Sequence, residues 1–117
     1  MLNFGQELGS PSDPRLYGNG TLWTRIPTRT YFTQYGHSPS IRLKTPWFRA
    51  RGGLVRVTGV PVSGPPAQFS AAVGTPAEYG PTGFAPSVLT FGRPGCWHVR
   101  ATLAGRVLSI VLDVPSL

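Results

Sequence analysis

The residue types that could carry chemistry are few in this 117-residue chain, and they are scattered. Cys96 and His98 stand at i and i+2, so on a β-strand both side chains leave by one face and could share a metal ion. A blue-copper centre also needs a second histidine and usually an axial methionine. His37 is the only other histidine and Met1 the only methionine, and neither follows Cys96 at the required spacing. We therefore expect no metal and no cofactor. The four acids are Glu7, Asp13, Glu78 and Asp113, too dispersed for a carboxylate pair. His98 lies diagonally across from Asp113 in the register derived below, and Ser109 is close by. A nucleophilic serine, however, needs a strained Gly-x-Ser-x-Gly turn, and none occurs. No glycine-rich phosphate loop precedes a helix either. The expectation is a protein without catalytic activity, a small hydrolase or copper protein being the alternative that needs His98.

Binding chemistry has more to work with. Eleven basic residues face four acidic ones, a net charge of +7, and Lys44 is the single lysine. Such a balance favours anionic partners. The densest stretch is Arg42, Lys44, Arg49 and Arg51, interleaved with Trp47 and Phe48. On a strand, one of two adjacent aromatics must face away from the core. An outward ring beside these cations could stack on a sugar or anchor a protein. The competing reading puts Trp47 in the core. Lys44, Trp47, Arg49 and Arg51 are the candidate binding residues. No nucleic-acid module is recognisable, so no specific nucleic-acid partner is expected. The single Cys96 excludes an intrachain disulfide.

The elements that must position these residues are strands. Gly (15) and Pro (13) together occupy 28 of 117 positions, which disfavours helices throughout. Residues 1–20 are polar and rich in turn formers, and are expected to be a flexible arm without a signal peptide's basic and apolar regions. Residues 21–117 should then form one domain. Strands are expected at 22–26, 41–44, 54–60, 67–73 and 87–91, with Pro46 separating 41–44 from 47–50. Residues 28–40 read as a polar loop. Residues 74–86 read as a long irregular connection pinned by Tyr79 and Phe84. No stretch approaches the ~18 apolar residues of a membrane span.

The last 22 residues are the most explicit. Two alternating runs, 96–103 and 106–114, flank Ala104-Gly105, and a two-residue loop there pairs Leu103 with Arg106. Trp97 then meets Leu112, Val99 meets Ile110 and Ala101 meets Leu108, all apolar. The opposite face pairs Cys96 with Asp113, His98 with Val111, Arg100 with Ser109 and Thr102 with Val107. His98, Val107 and Val111 make that face too apolar for a fully solvated sheet, so a loop or a partner chain should cover it. About seven short strands with frequent turns predict an all-β, two-layer antiparallel sandwich.

The segment FGRPGCWHVRA (91–101) resembles the penultimate strand of immunoglobulin-like domains. Trp97 would take the place of the usual corner tyrosine, and Val99 that of the core cysteine. YGNGTLW (17–23), KTPWFR (44–49), VRVTGVPVSG (55–64), YGPTGFAPSVLTF (79–91) and PGCWHV (94–99) together resemble a family of small exported bacterial proteins of unknown function. Those proteins end in a Gly-Cys-Trp-x-Val strand and are often lipoproteins. The resemblance implies an immunoglobulin-like fold and an extracytoplasmic, envelope location. The resulting expectation is an accessory binding module for a protein partner or an anionic envelope polymer. Its rival is a stand-alone carbohydrate- or polyanion-binding domain.

Overall fold

Leu103 and Arg106 pair across Ala104 and Gly105, and every other pair of the terminal hairpin follows the register expected from its alternation. Both turn residues have positive φ, +51° and +77°. That is the backbone a two-residue hairpin of right-handed twist demands, and glycine adopts it at little cost. Trp97, Val99, Ala101, Leu103, Leu108 and Leu112 are buried. Arg100, Val107, Ser109, Val111 and Asp113 are exposed.

The computed structural model describes residues 16–34, 36 and 38–117. Among these, nine strands run in order: β1 (Leu16–Gly18), β2 (Leu22–Arg25), β3 (Phe32–Gln34), β4 (Ile41–Arg49), β5 (Arg56–Pro61), β6 (Phe69–Val73), β7 (Gly83–Phe91), β8 (Gly95–Leu103) and β9 (Arg106–Val114). A short 3-10 turn, Arg29–Tyr31, precedes β3, and a one-turn helix α1, Pro76–Tyr79, precedes β7. One antiparallel sheet has the order β1-β2-β4-β7-β6, with β3 also on β4; the other is β5-β8-β9. Setting β1 and β3 aside, four strands face three in the order of an immunoglobulin-like sandwich. The expected all-β sandwich is what the chain adopts.

Four details differ from the sequence expectation. Leu16–Gly18, placed in the arm, pairs with β2; residues 1–15 lie outside the described residues. Residues 32–34, read as loop, pair with Ile41–Leu43 of β4. β7 begins at Gly83, not at Ser87. Finally, Pro46 does not divide β4. It stands opposite Pro86 of β7, and two prolines cannot exchange N–H···O bonds, so theirs is a non-hydrogen-bonded pair. Backbone polar groups of Pro46 therefore point the other way, into the gap between β3 and β2, where its carbonyl accepts from Thr24 Oγ1 at 2.7 Å. The missing N–H falls where no strand would receive it.

The two sheets exclude water between them through two contiguous clusters. One holds Phe32, Ile41, Leu43, Leu89, Phe91, Trp97, Val99, Leu112 and Val114. The other holds Leu22, Trp47, Val55, Ala101, Leu103 and Leu108, and half-buried Val57 and Ile110 pack on both. Trp97 also donates from Nε1 to the Arg93 carbonyl, 3.0 Å away and four residues upstream. This is the backward bond a corner tyrosine makes at the same place. Gly59 sits where a Cβ would come within 2.7 Å of the Phe69 ring, so the sheets approach closely there.

Truncating this interior should be costly and editing the outer face cheap. Leu43→Ala is expected to lose about 2–5 kcal/mol in denaturant unfolding, and Val111→Thr to stay within about 0.5 kcal/mol of wild type.

Candidate ligand-binding groove

Strand parity decides where the candidate binding residues go. In β4, Ile41, Leu43, Thr45, Trp47 and Arg49 all face inward, while Arg42, Lys44, Pro46 and Phe48 face outward. Trp47 is therefore a core residue, and its Nε1 donates to Ser87 Oγ at 2.8 Å. Arg49, expected on a basic surface patch, is 0% exposed. The proposed cluster of Lys44, Trp47, Arg49 and Arg51 does not exist as one surface. Only Lys44 and Arg51 reach solvent, and they line different pockets.

The Arg49 guanidinium is surrounded by carbonyl oxygens. Nε donates to Gly83 O at 3.1 Å and Nη1 to Gly53 O at 2.9 Å. Nη2 donates to Gly80 O at 2.8 Å and Thr82 O at 3.2 Å, with Tyr79 O and Phe84 O at 3.4 Å. These acceptors are all backbone carbonyls, five from the 79–84 segment and one from the 50–53 turn. Desolvation by burial pushes its pKa below the ordinary arginine value. A guanidinium nevertheless keeps its charge at neutral pH. The fork geometry matters, since its rigid donors reach several carbonyls at once.

By holding 79–84, Arg49 sets one wall of an open groove on the outer face of the larger sheet. Phe84 stands on β7, and the Tyr79 ring meets it edge-on at a 6.1 Å centroid separation. Phe48 follows at 5.9 Å from Phe84. The facing prolines, Pro46 and Pro86, form part of the floor with Ala72 and Val88, and Tyr31 stands opposite. The volume is about 710 Å³. Two charged side chains border it: Lys44 on β4, and Glu78 on α1, which accepts from Thr75 Oγ1 at 3.1 Å. A small adjoining dimple brings Arg25 beside Tyr31 and Lys44. The surface is thus mostly apolar and aromatic, cationic on its β4 side and acidic on its α1 side.

The terminal hairpin's outer face is arranged differently. His98 is half-buried between Val60 of β5 and Val111 of β9, and Cys96 beside them is exposed. Val111 is 63% exposed, Val60 58% and Val107 42%, with no described loop over them. Among the described residues, no group of three or more His, Cys, Asp or Glu gathers to hold a metal ion. His37 lies outside the described residues. No helix among them is long and apolar enough to cross a membrane.

Tyr31, Pro46, Glu78, Phe84 and Pro86 were not assigned to a site from the sequence. For Pro46, Phe84 and Pro86 the signal was outward parity, since Phe84, Pro86 and Val88 alternate on β7 just as Lys44, Pro46 and Phe48 alternate on β4; Tyr31 and Glu78 lie outside the strands and had no such signal. Compared with known proteins, the chain matches no family model, no curated protein and no solved structure.

Removing the guanidinium strands part-buried carbonyls. Arg49→Met is expected to cost about 3–5 kcal/mol, as breaking buried ionic networks does. Arg49→Lys should recover less than half of that loss, because one ammonium cannot span Gly53, Gly80 and Gly83. Both are read by urea unfolding, and a loss under about 1 kcal/mol for Arg49→Met would contradict the assignment.

Proposed function

We propose that the chain is a non-catalytic binding module whose ligand, an extended apolar segment of a partner protein, lies in the Tyr31–Tyr79–Phe84 groove. One observation carries this reading: three aromatic side chains converge over a proline-floored groove on a rigid sheet. Aromatic-lined grooves suit extended, proline-containing segments, which are already ordered before they bind. Of the polar side chains that line the groove, Thr45 and Ser87 are buried, and Tyr31, Lys44, Glu78 and Tyr79 are spread over the 3-10 turn, β4 and α1 around an apolar floor, whereas a glycan site needs several convergent polar groups. Lys44 and Arg25 share the border with Glu78, and this mixed charge argues against a polyanion at this place. The sign difference across the groove favours a segment with its acidic end toward Lys44 and Arg25.

Placement at a bacterial cell envelope, outside the cytoplasm, is supported by the resemblance of residues 17–99 to the exported family. Recovery of the protein with cytoplasmic markers alone, in cell fractionation, would contradict that placement.

The groove is tested by titrating ¹⁵N-labelled protein with a proline-rich decapeptide acidic at one end, and in parallel with a soluble oligosaccharide. The peptide should move the resonances of Ala72, Tyr79, Phe84 and Val88. Tyr79→Ala and Phe84→Ala should each weaken it at least about tenfold, as for central aromatic anchors. Groove shifts with the oligosaccharide alone, or peptide shifts confined elsewhere, would overturn the reading.

A further inference from the structure

We infer that the chain carries a second site, built by Arg51 and Arg106, that binds the phosphate group of a small phosphomonoester or free phosphate. It is independent of the groove. Three chain segments frame a pocket of about 460 Å³ at the end of the sandwich: the β1–β2 turn with Asn19, Gly20 and Thr21, the turn after β4 with Ala50 and Arg51, and the start of β9 with Arg106.

The frame is tied together by hydrogen bonds that leave the arginines uninvolved. Asn19 Oδ1 accepts from the backbone N–H groups of Thr21 and Leu22, each at 3.0 Å. Asn19 Nδ2 donates to Val107 O at 3.2 Å, joining the turn to β9. Ala50 N donates to Thr21 O at 2.9 Å, joining the turn to β4. Gly20 lies at φ +91° with open space over the position a Cβ would take, so a ligand can approach the backbone there.

Among the described residues, no carboxylate lines this pocket. Asp113 sits at the far end of β9, seven residues and so about 23 Å from Arg106 along the strand. That exceeds the ~8 Å screening length at physiological ionic strength. Glu78 belongs to the groove. Two arginine side chains therefore line one concave polar pocket that, among the described residues, has no group of opposite charge in its lining. Their planar forks match phosphate oxygens in bidentate fashion, and two positive charges suit a dianion better than a monocarboxylate.

The full chain is titrated with inorganic phosphate, glycerol 3-phosphate and acetate, each at ionic strength matched with chloride, while ¹H–¹⁵N spectra are followed. Phosphate should shift Asn19, Gly20, Thr21, Arg51 and Arg106 and leave Tyr79 and Phe84 unmoved. Arg51→Gln and Arg106→Gln replace exposed side chains, so both should keep the wild-type spectrum elsewhere while each weakens phosphate at least about tenfold, the loss of one charge-assisted contact. Tighter glycerol 3-phosphate would identify a phosphomonoester as the ligand, and tighter inorganic phosphate the free ion; both support the site. Acetate binding as tightly as phosphate, or affinity unchanged in both variants, would overturn it.

Discussion

A cation held in the interior by carbonyl dipoles, the acceptors it finds among the described residues, is the constraint on which this molecule turns. Burying a guanidinium without a counter-ion is costly unless each donor finds an acceptor. Around Arg49 the acceptors include irregular backbone at Gly53, Gly80 and Thr82, together with Tyr79 at the end of α1 and Gly83 and Phe84 at the start of β7. Each side solves the other's problem. The turn after β4 and the crossover into β7 become ordered because one rigid fork reaches both, and the charge is tolerated because the backbone curls around it. An apolar residue at this position would leave carbonyls of both segments facing one another.

What that ordering achieves is a division between the two faces of the larger sheet. Its inner face is dry and shared with β5, β8 and β9. Its outer face carries a ladder running from Trp23 to Phe48 to Phe84 across β2, β4 and β7, with Tyr79 docked on the end. The Pro46–Pro86 pair flattens the next row into the groove floor. Binding chemistry is thus placed on strands and on a tethered crossover, whose geometry costs little to maintain when a ligand arrives. The smaller sheet leaves its outer valines open, while Tyr17 Oη and Asn19 Nδ2 donate to carbonyls along the free edge of β9 and so shield part of it.

Much of the scaffold was legible in the sequence, and little of the site. The 96–114 hairpin could be read because alternation, a two-residue turn and an all-apolar face agree on one register. Parity was also present in β4, where Ile41 and Leu43 imply that Thr45, Trp47 and Arg49 face inward. Treating Pro46 as a strand break discarded that parity and placed Arg49 on the surface. Arginine type argued the same way, since charge normally marks an exposed position. Nothing local in 74–86 shows that its carbonyls converge on a side chain some 30 residues earlier. Tyr79 and Phe84, expected to pin that segment, are both exposed and meet each other and Phe48 on the outer face of the sheet, while Arg49 bonds the segment's backbone.

The central claim is that Arg49 holds the 79–84 crossover, and with it the groove wall, in one conformation. Backbone ¹⁵N relaxation of the native chain tests this most directly. Order parameters near 0.85 at Gly80, Thr82, Gly83 and Phe84, equal to those of β4 and β7, are the expected result. Values below about 0.6 at these positions would mean that the carbonyl cage is not formed in solution, and the account of the groove would fall with it.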